Sequence, residues 1–307
     1  MTEHENKLVS IMKYGWIVYS ESVVHNRYGN NAFDWMKEEA GTHHIDLAVI
    51  FIEQLVIDMG QEQVFYYQGR KLQKPDFVVM RCYNRIVGSQ LEQSGIRVIN
   101  KTLAMFQARN KVVTAQILNR AGIPTPGMIY MMEKNYPFLR KQFDGKPFVM
   151  KAVEGSQGKN VFLVRNESDF DEAWSKTQGY FLCQEFINKS FGKDLRVYVL
   201  GGRVLGSVLR KSVSGFRANY ALGGHAALYK TTEEMISLCT RTAKVLNLEF
   251  CGIDLLFTED GLTVCEVNGN AGFRTISKVS DVDIPRELFN YVATSVYHEV
   301  HEPTVQK

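Results

Sequence analysis

The sequence predicts a small parallel α/β domain followed by an α+β body, on three observations. Through the first hundred residues, short apolar strands alternate with helical patterns. From Pro147 onward the pattern changes to hairpins bounded by glycine-rich turns. Between the two, Gly122 stops a long helical pattern and Pro124 prevents its return.

The first strand is Trp16-Ile17-Val18-Tyr19, and Phe33-Asp34-Trp35-Met36-Lys37 begins a helical pattern. Strands follow at Asp46 to Ile52, Asp76 to Arg81 and Gly95 to Asn100. Thr102 to Ala121 reads as one helix, with Phe106, Val113, Ile117 and Ala121 at helical spacing. Ile123-Pro124-Thr125-Pro126 is then a rigid extended connector, suited to the edge of the next sheet. Phe148 to Val153 and Asn160 to Val164 flank a glycine-rich loop. Tyr180 to Ile187, Asp194 to Leu200 and Arg203 to Arg210 are further strands. Thr231-Thr232-Glu233-Glu234 has capping-box spacing ahead of the stripe Met235, Leu238, Thr242 and Leu246. Asp254 to Asn268 closes as a hairpin, and Pro285 to Val296 is the final helix.

With 307 residues the chain is long enough for two domains or three small ones. A net charge of +3 is too weak to point to nucleic acid or to an anionic membrane surface, so neither is expected as a partner. The longest apolar region, Ile45 to Met59, is interrupted by Asp46, Glu53, Gln54 and Asp58, so no span of a membrane is expected. The polar start, Met1 to Lys7, does not read as a secretory signal. Five cysteines without a Cys-x-x-Cys pair read as reduced, structural thiols of a cytoplasmic protein.

The sharpest chemical signal is the hairpin from Gly252 to Asn268. A three-residue turn, Glu259-Asp260-Gly261, places Asp254 directly across from Glu266. Alternation then puts Asp254, Glu266 and Asn268 on one face, and Ile253, Leu255, Phe257, Cys265 and Val267 on the core face. Opposed carboxylates repel unless something positive lies between them, and Mg²⁺ bridging nucleotide phosphates would resolve that repulsion. A solvent-facing acidic hairpin is the other reading.

Lys151 ends an apolar strand and leads into Glu154-Gly155-Ser156-Gln157-Gly158-Lys159. Such a loop lets backbone N–H groups close over phosphate oxygens, and an ammonium among apolar neighbours calls for an anion. In isolation, an ordinary glycine-rich turn with a snorkelling lysine is the better explanation. The strand Gln184-Glu185-Phe186-Ile187 offers free backbone groups to an adenine edge, and Glu185 an acceptor for ribose hydroxyls. Asp194 and Arg196 share a strand face and could pair with each other. Arg210 and Lys211, with Phe216-Arg217-Ala218-Asn219 and Gly223-Gly224, form a cationic, flexible cluster suited to an acyl phosphate, or a solvated basic loop.

Taken in order, these pieces resemble the RimK-like branch of the ATP-grasp superfamily, ligases of the alpha-L-glutamate ligase type. The resemblance also rests on Asn110-Lys111 and extends over roughly Phe106 to Val296. It implies a pre-ATP-grasp domain at 1–103, a central lid at 104–187 and a C-terminal domain with the metal site at 188–307. It implies ATP with Mg²⁺, or Mn²⁺ in its place. Lys111, Lys151 and the loop Gly155, Ser156, Gln157 and Gly158 would meet the phosphates. Gln184, Glu185, Phe186 and Ile187 would form the adenine hinge, with Asp194 on the ribose side. Asp254, Glu266 and Asn268 would hold the metal. Arg210 and Asn219 would be the catalytic pair, with Arg217 beside the phosphates. The implied reaction joins an amino acid, glutamate or another, to an acceptor carboxylate through an acyl phosphate. The acceptor is a small molecule, a peptide or a protein C-terminus, and a homo-oligomer is compatible with it. One departure stands out: Asn268-Gly269-Asn270-Ala271-Gly272 replaces the Ser-Pro-Gly type turn of many relatives. Arg81-Cys82-Tyr83-Asn84-Arg85 offers either an acidic-substrate contact or a helix start. The alternatives to a ligase are a kinase on the same scaffold and a non-catalytic nucleotide-binding module.

Overall fold

A computed structural model describes residues 12–22, 31–155, 160–177, 180–213, 215–218 and 224–299. The chain divides into two compact units, Met1–Thr102 with Asp283–Lys307, and Leu103–Val282.

In the first unit, β1 (Lys13–Tyr19), α1 (Asn31–Thr42) and β2 (Ile45–Phe51) precede an antiparallel insertion of β3 (Leu55–Asp58), β4 (Val64–Tyr67) and β5 (Arg70–Lys71). β6 (Phe77–Met80), α2 (Arg85–Gln93) and β7 (Arg97–Ile99) complete a parallel sheet in the order β2-β1-β6-β7. These are the four strands expected from the rhythm. The two central strands, β1 and β6, are buried on both faces, so they read as continuous apolar runs such as Trp16-Ile17-Val18 and Phe77 to Met80. Gly15 is required on β1, because a Cβ there would lie 2.3 Å from the Phe77 ring. The insertion was not anticipated. Its signal is the apolar run Val64 to Tyr67 before Gln68-Gly69, whose φ values of 50° and 75° suit a two-residue hairpin turn. Asn84 caps α2 by accepting from Val87 N at 3.0 Å, so Arg81 to Arg85 is a helix start, with Arg81 buried.

The second unit opens with two helices where one was expected, α3 (Thr102–Arg109) and α4 (Lys111–Arg120). The break is at Asn110, whose side chain accepts from Val112 N and Val113 N at 3.0 and 3.1 Å. Asparagine satisfies the free N–H groups of a helix start better than it continues a helix. Then come β8 (Met128–Met131), α5 (Tyr136–Gln142), β9 (Phe148–Ala152), β10 (Val161–Val164), α6 (Glu167–Thr177) and β11 (Phe181–Glu185). Their antiparallel sheet has the order β10-β9-β11-β8. Its core gathers Phe148, Met150, Phe170, Phe181 and Cys183.

A five-stranded antiparallel sheet follows, ordered β14-β13-β12-β15-β16. It comprises β12 (Lys193–Leu200), β13 (Arg203–Lys211), β14 (His225–Tyr229), β15 (Phe250–Thr258) and β16 (Gly261–Asn268), with α7 (Glu233–Val245) before β15. Leu195, Val197, Ile253, Leu255, Val264 and Val267 turn one face into a core with Leu238 and Ala243 of α7. Alternation leaves Asp194, Arg196 and Tyr198 on the other face of β12. The capping box is shifted by one residue: Thr232 accepts from Met235 N, and Glu234 Oε1 instead accepts from Leu262 N at 3.0 Å.

α8 (Arg274–Val279) ends the second unit, and α9 (Ile284–Glu299) returns to the first, outside the third domain that the resemblance implied. Three contacts hold α9 there. Trp35 Nε1 donates to Asp283 at 3.1 Å, Arg286 pairs with Glu39 at 3.3 Å, and Arg97 Nη1 reaches Ser295 Oγ at 2.6 Å. All five cysteines are free, and burial pushes the Cys82, Cys183 and Cys239 thiols up to about 12. No helix among the described residues is long and apolar enough to cross a membrane.

Candidate active site

The polar face of the five-stranded sheet is a floor whose side chains stand in rows. Asp194 pairs in register with Arg210; Arg196, Asp254 and Glu266 form the next row. Gly206, Tyr198, Gly252 and Asn268 form the third. The expected opposition of Asp254 and Glu266 is present, but it arises differently. The turn has two residues, since Thr258 pairs with Gly261, and this register would have put Asp254 across from Cys265. A bulge between Asp254 and Leu255 absorbs one extra residue on β16 and restores the pairing. The bulge also turns Cys265 out of the core, where it was expected, into the site.

Asp194 and Arg196 do not pair with each other; each reaches a neighbouring strand. Arg196 grips Asp254 with Nε at 2.5 Å and Nη2 at 2.7 Å. Arg210 grips Asp194 with Nε at 2.7 Å and Nη2 at 2.6 Å, and its Nη2 lies 3.0 Å from Asp254 Oδ2. Such forked contacts are the strong form of a charged hydrogen bond. Burial raises the Asp254 carboxyl, but the two guanidiniums outweigh it and hold the group below the ordinary range. Asp194 has one such partner and faces Asp254, so burial leaves its carboxyl raised. Burial works against the Arg210 charge, and the two carboxylates overcome it, so its pKa rises.

Across a cleft stand β9 and β11. Lys151 on β9 is buried, donates from Nζ to Gln184 Oε1 at 2.7 Å and lies 3.4 Å from Cys265 Sγ. Burial raises the Cys265 thiol despite Lys151, which keeps it protonated. One pocket is lined by Lys151, Gln184, Glu185, Phe186, Ile187, Asp194, Arg217, Asp254, Cys265 and Glu266. The expected hinge, ribose-side carboxylate and two metal-site acids therefore face one space. The backbone of Glu185 is fixed by its N–H to Gly127 O at 2.8 Å, and its Oε2 accepts from Gly127 N at 3.2 Å. Lys111, at the start of α4, donates to Gly155 O at 3.1 Å and lies 3.7 Å from Glu266 Oε1. The loop is reached there at its first glycine, whose φ of 138° is disfavoured for any residue with a Cβ. Ser156, Gln157 and Gly158 lie outside the described residues, as does Asn219. Arg217 is exposed, with its guanidinium 5.9 Å from the centre of the Phe216 ring.

Asn268 Nδ2 is buried without a hydrogen-bond partner among the described residues. A half-turn of the amide exchanges nitrogen for oxygen, so this position suits a carbonyl oxygen facing a cation. Among the described residues no three His, Cys, Asp or Glu side chains cluster to hold a metal. A cation at Asp254, Glu266 and Asn268 would need further oxygen ligands, which the phosphates of a nucleotide would supply. The donor set fits Mg²⁺: two carboxylates, one amide, no nitrogen or sulfur ligand.

Two residues of the site were not anticipated in these roles. Strand alternation alone offers Asp194 as a partner for Arg196, and only the cross-strand register reveals its hold on Asp254. Strict alternation places Cys265 in the core, and a bulge interrupts that alternation.

A family model of the RimK-like ATP-grasp domain matches residues 108–292. A probable alpha-L-glutamate ligase of Maridesulfovibrio salexigens is 34% identical over 237 residues, 74% of this chain and 79% of that protein. N-acetylaspartylglutamate synthase A of Mus musculus is 30% identical over 273 residues, 83% of this chain and 72% of that protein. In fold, the chain is similar to the ATP-grasp ligase PsnB complexed with minimal precursor, Mg and ADP. That likeness has a TM-score of 0.69 at 19% identity and covers 92% of this chain and 98% of that one.

Proposed function

The chain belongs to the RimK-like ATP-grasp family, and on that premise we infer that it joins a carboxylate to the amine of an amino acid using ATP. It is a carbon–nitrogen ligase, not a kinase or a passive nucleotide module. The observation that carries the reading is the single cleft in which Lys151 and the Gln184 to Ile187 strand face Asp254 and Glu266. A carboxylate oxygen of the acceptor attacks the γ-phosphorus, and ADP leaves. The amine then attacks the acyl carbon, inorganic phosphate leaves, and the ammonium proton passes to solvent. No side chain needs to act as a nucleophile, in keeping with a Cys265 thiol that burial keeps protonated.

In this scheme Gln184 to Ile187 hold the adenine, Asp194 the ribose side, and Lys111, Lys151 and Arg217 the phosphates. The lid at 104–187 closes over the floor from residue 188 onward. Mg²⁺, or Mn²⁺ in its place, would be held by Asp254, Glu266 and Asn268 and would neutralise charge on the transferring phosphoryl group. Arg210, fixed by Asp194 and Asp254, neutralises the acyl phosphate, with Asn219 beside it. The names of the curated relatives make glutamate the first choice of amine. Buried, free thiols favour the cytoplasm.

The test is a screen of ADP release over the twenty amino acids, each paired with N-acetyl-L-aspartate and other acidic acceptors. ADP release that requires an amine and a carboxylate together supports the ligase. ADP release indifferent to the amine overturns it.

A further inference from the structure

Asp254 stands between a cation and a carboxylate in its row, with Arg196 on β12 to one side and Glu266 on β16 to the other. Arg196 takes one lone-pair site on each Asp254 oxygen, through Nε on Oδ1 and Nη2 on Oδ2. Arg210 Nη2 adds a contact of 3.0 Å on Oδ2. Among the described residues, this leaves one of the roughly four lone-pair sites of the carboxylate, on Oδ1. The grip has space built for it. A Cβ on Gly252 would lie 2.9 Å from Arg196 Cδ and 3.4 Å from its Nε, so glycine at that position lets the arginine lie along the sheet to Asp254.

The other acids of the floor are matched in the same way. Asp194 is gripped by Arg210, and Glu266 has Lys111 at 3.7 Å from its Oε1. Asp194, Asp254 and Glu266 therefore face Arg196, Arg210 and Lys111, with Lys151 buried across the cleft. A free divalent cation arriving at Asp254 and Glu266 gains two carboxylates and meets as many guanidiniums nearby, which leaves little net attraction. It also finds a single open position on Asp254. The phosphates of a nucleotide change both conditions, because they bring oxygen ligands and negative charge to the same place.

We propose that Arg196 is a positioning residue for the metal, holding Asp254 so that the floor binds a divalent cation only together with a nucleotide. The inference rests on Asp254, Glu266 and Asn268 being the metal ligands. A guanidinium suits the task because it stays charged and its fork fixes both oxygens, with the open position left on Oδ1. The consequence is an order of binding: the cation enters with the nucleotide, and the empty cleft does not collect free metal.

The test titrates Mn²⁺ into the full chain without nucleotide, followed by the electron paramagnetic resonance of the free ion. Arg196→Met removes the charge and frees Asp254, and its affinity for Mn²⁺ rises about tenfold or more above wild type. A merely structural loss would lower the affinity, so a rise marks the withheld carboxylate. Arg196→Lys keeps the charge and stays at the wild-type value. Arg196→Met/Asp254→Asn loses the gain, which assigns the new affinity to this carboxylate. Equal Mn²⁺ affinities in wild type and folded Arg196→Met overturn the proposal. So does a wild-type protein that holds free Mn²⁺ as tightly as it does beside AMPPNP, with that binding lost in Asp254→Asn, a result that needs no Arg196 variant. With AMPPNP and Mn²⁺ together, wild type gives a water-proton relaxation enhancement above that of the Mn²⁺–AMPPNP complex alone. Its absence defeats the metal assignment, and this inference with it.

Discussion

Glu266→Gln lowers ADP release by about a hundredfold or more while the protein still folds. The amide keeps the size and one carbonyl oxygen of the carboxylate but removes the charge that a hard cation requires. Glu266 is half-buried and its ionic neighbour is Lys111 at 3.7 Å, too loose a contact for much of the fold to depend on it. Turnover and stability should therefore separate. Equal turnover in the variant and wild type, over a range of Mg²⁺ concentrations, removes Glu266 from the metal site.

Arg210→Met has a large expected effect of a different kind. It takes one cation from a buried set in which Arg210 meets Asp194 twice and Asp254 once. Asp254 keeps Arg196, whereas Asp194, buried and facing Asp254, loses its forked partner. Removing one member of a buried ion pair destabilises by about 3–5 kcal/mol, because the carboxylate left behind remains desolvated. Thermal or denaturant unfolding of the second unit measures this. The double variant Arg210→Met/Asp194→Leu recovers much of the loss, because it removes the stranded charge as well. Ligation does not recover with it, since Arg210 is proposed to neutralise the acyl phosphate. A stable single variant shows that Asp194 has other means of satisfaction. A double variant that ligates normally takes Arg210 out of the chemistry.

Much of the fold was legible because buried strands announce themselves. Trp16 to Tyr19 and Phe77 to Met80 are apolar on both faces, which fixes them as strands of a covered parallel sheet. The two helices around Asn110 were not separable by periodicity, since the apolar spacing runs through the break and only the cap chemistry marks it. The pairing of Asp254 with Glu266 was anticipated from a turn the hairpin does not have. A shorter turn and a bulge at Cys265 shift the register in opposite senses and cancel at those two residues. Alternation alone therefore placed the acids and misplaced the cysteine. The ion-pair partners were illegible for a related reason: Asp194 and Arg196 share one face, and which cation each finds depends on the neighbours that tertiary pairing supplies. The last helix is likewise expected from the sequence at Pro285 to Val296, but nothing local says that it returns to the first unit.

The central claim is that a carboxylate activated as an acyl phosphate forms over the Asp254, Glu266 and Asn268 floor. Trapping with hydroxylamine, in place of the amine and with MgATP and the acceptor carboxylate, tests it most directly. The account predicts a hydroxamate formed in step with ADP, and neither product in Glu266→Gln. ADP release with a stable phosphorylated product and no hydroxamate would contradict it.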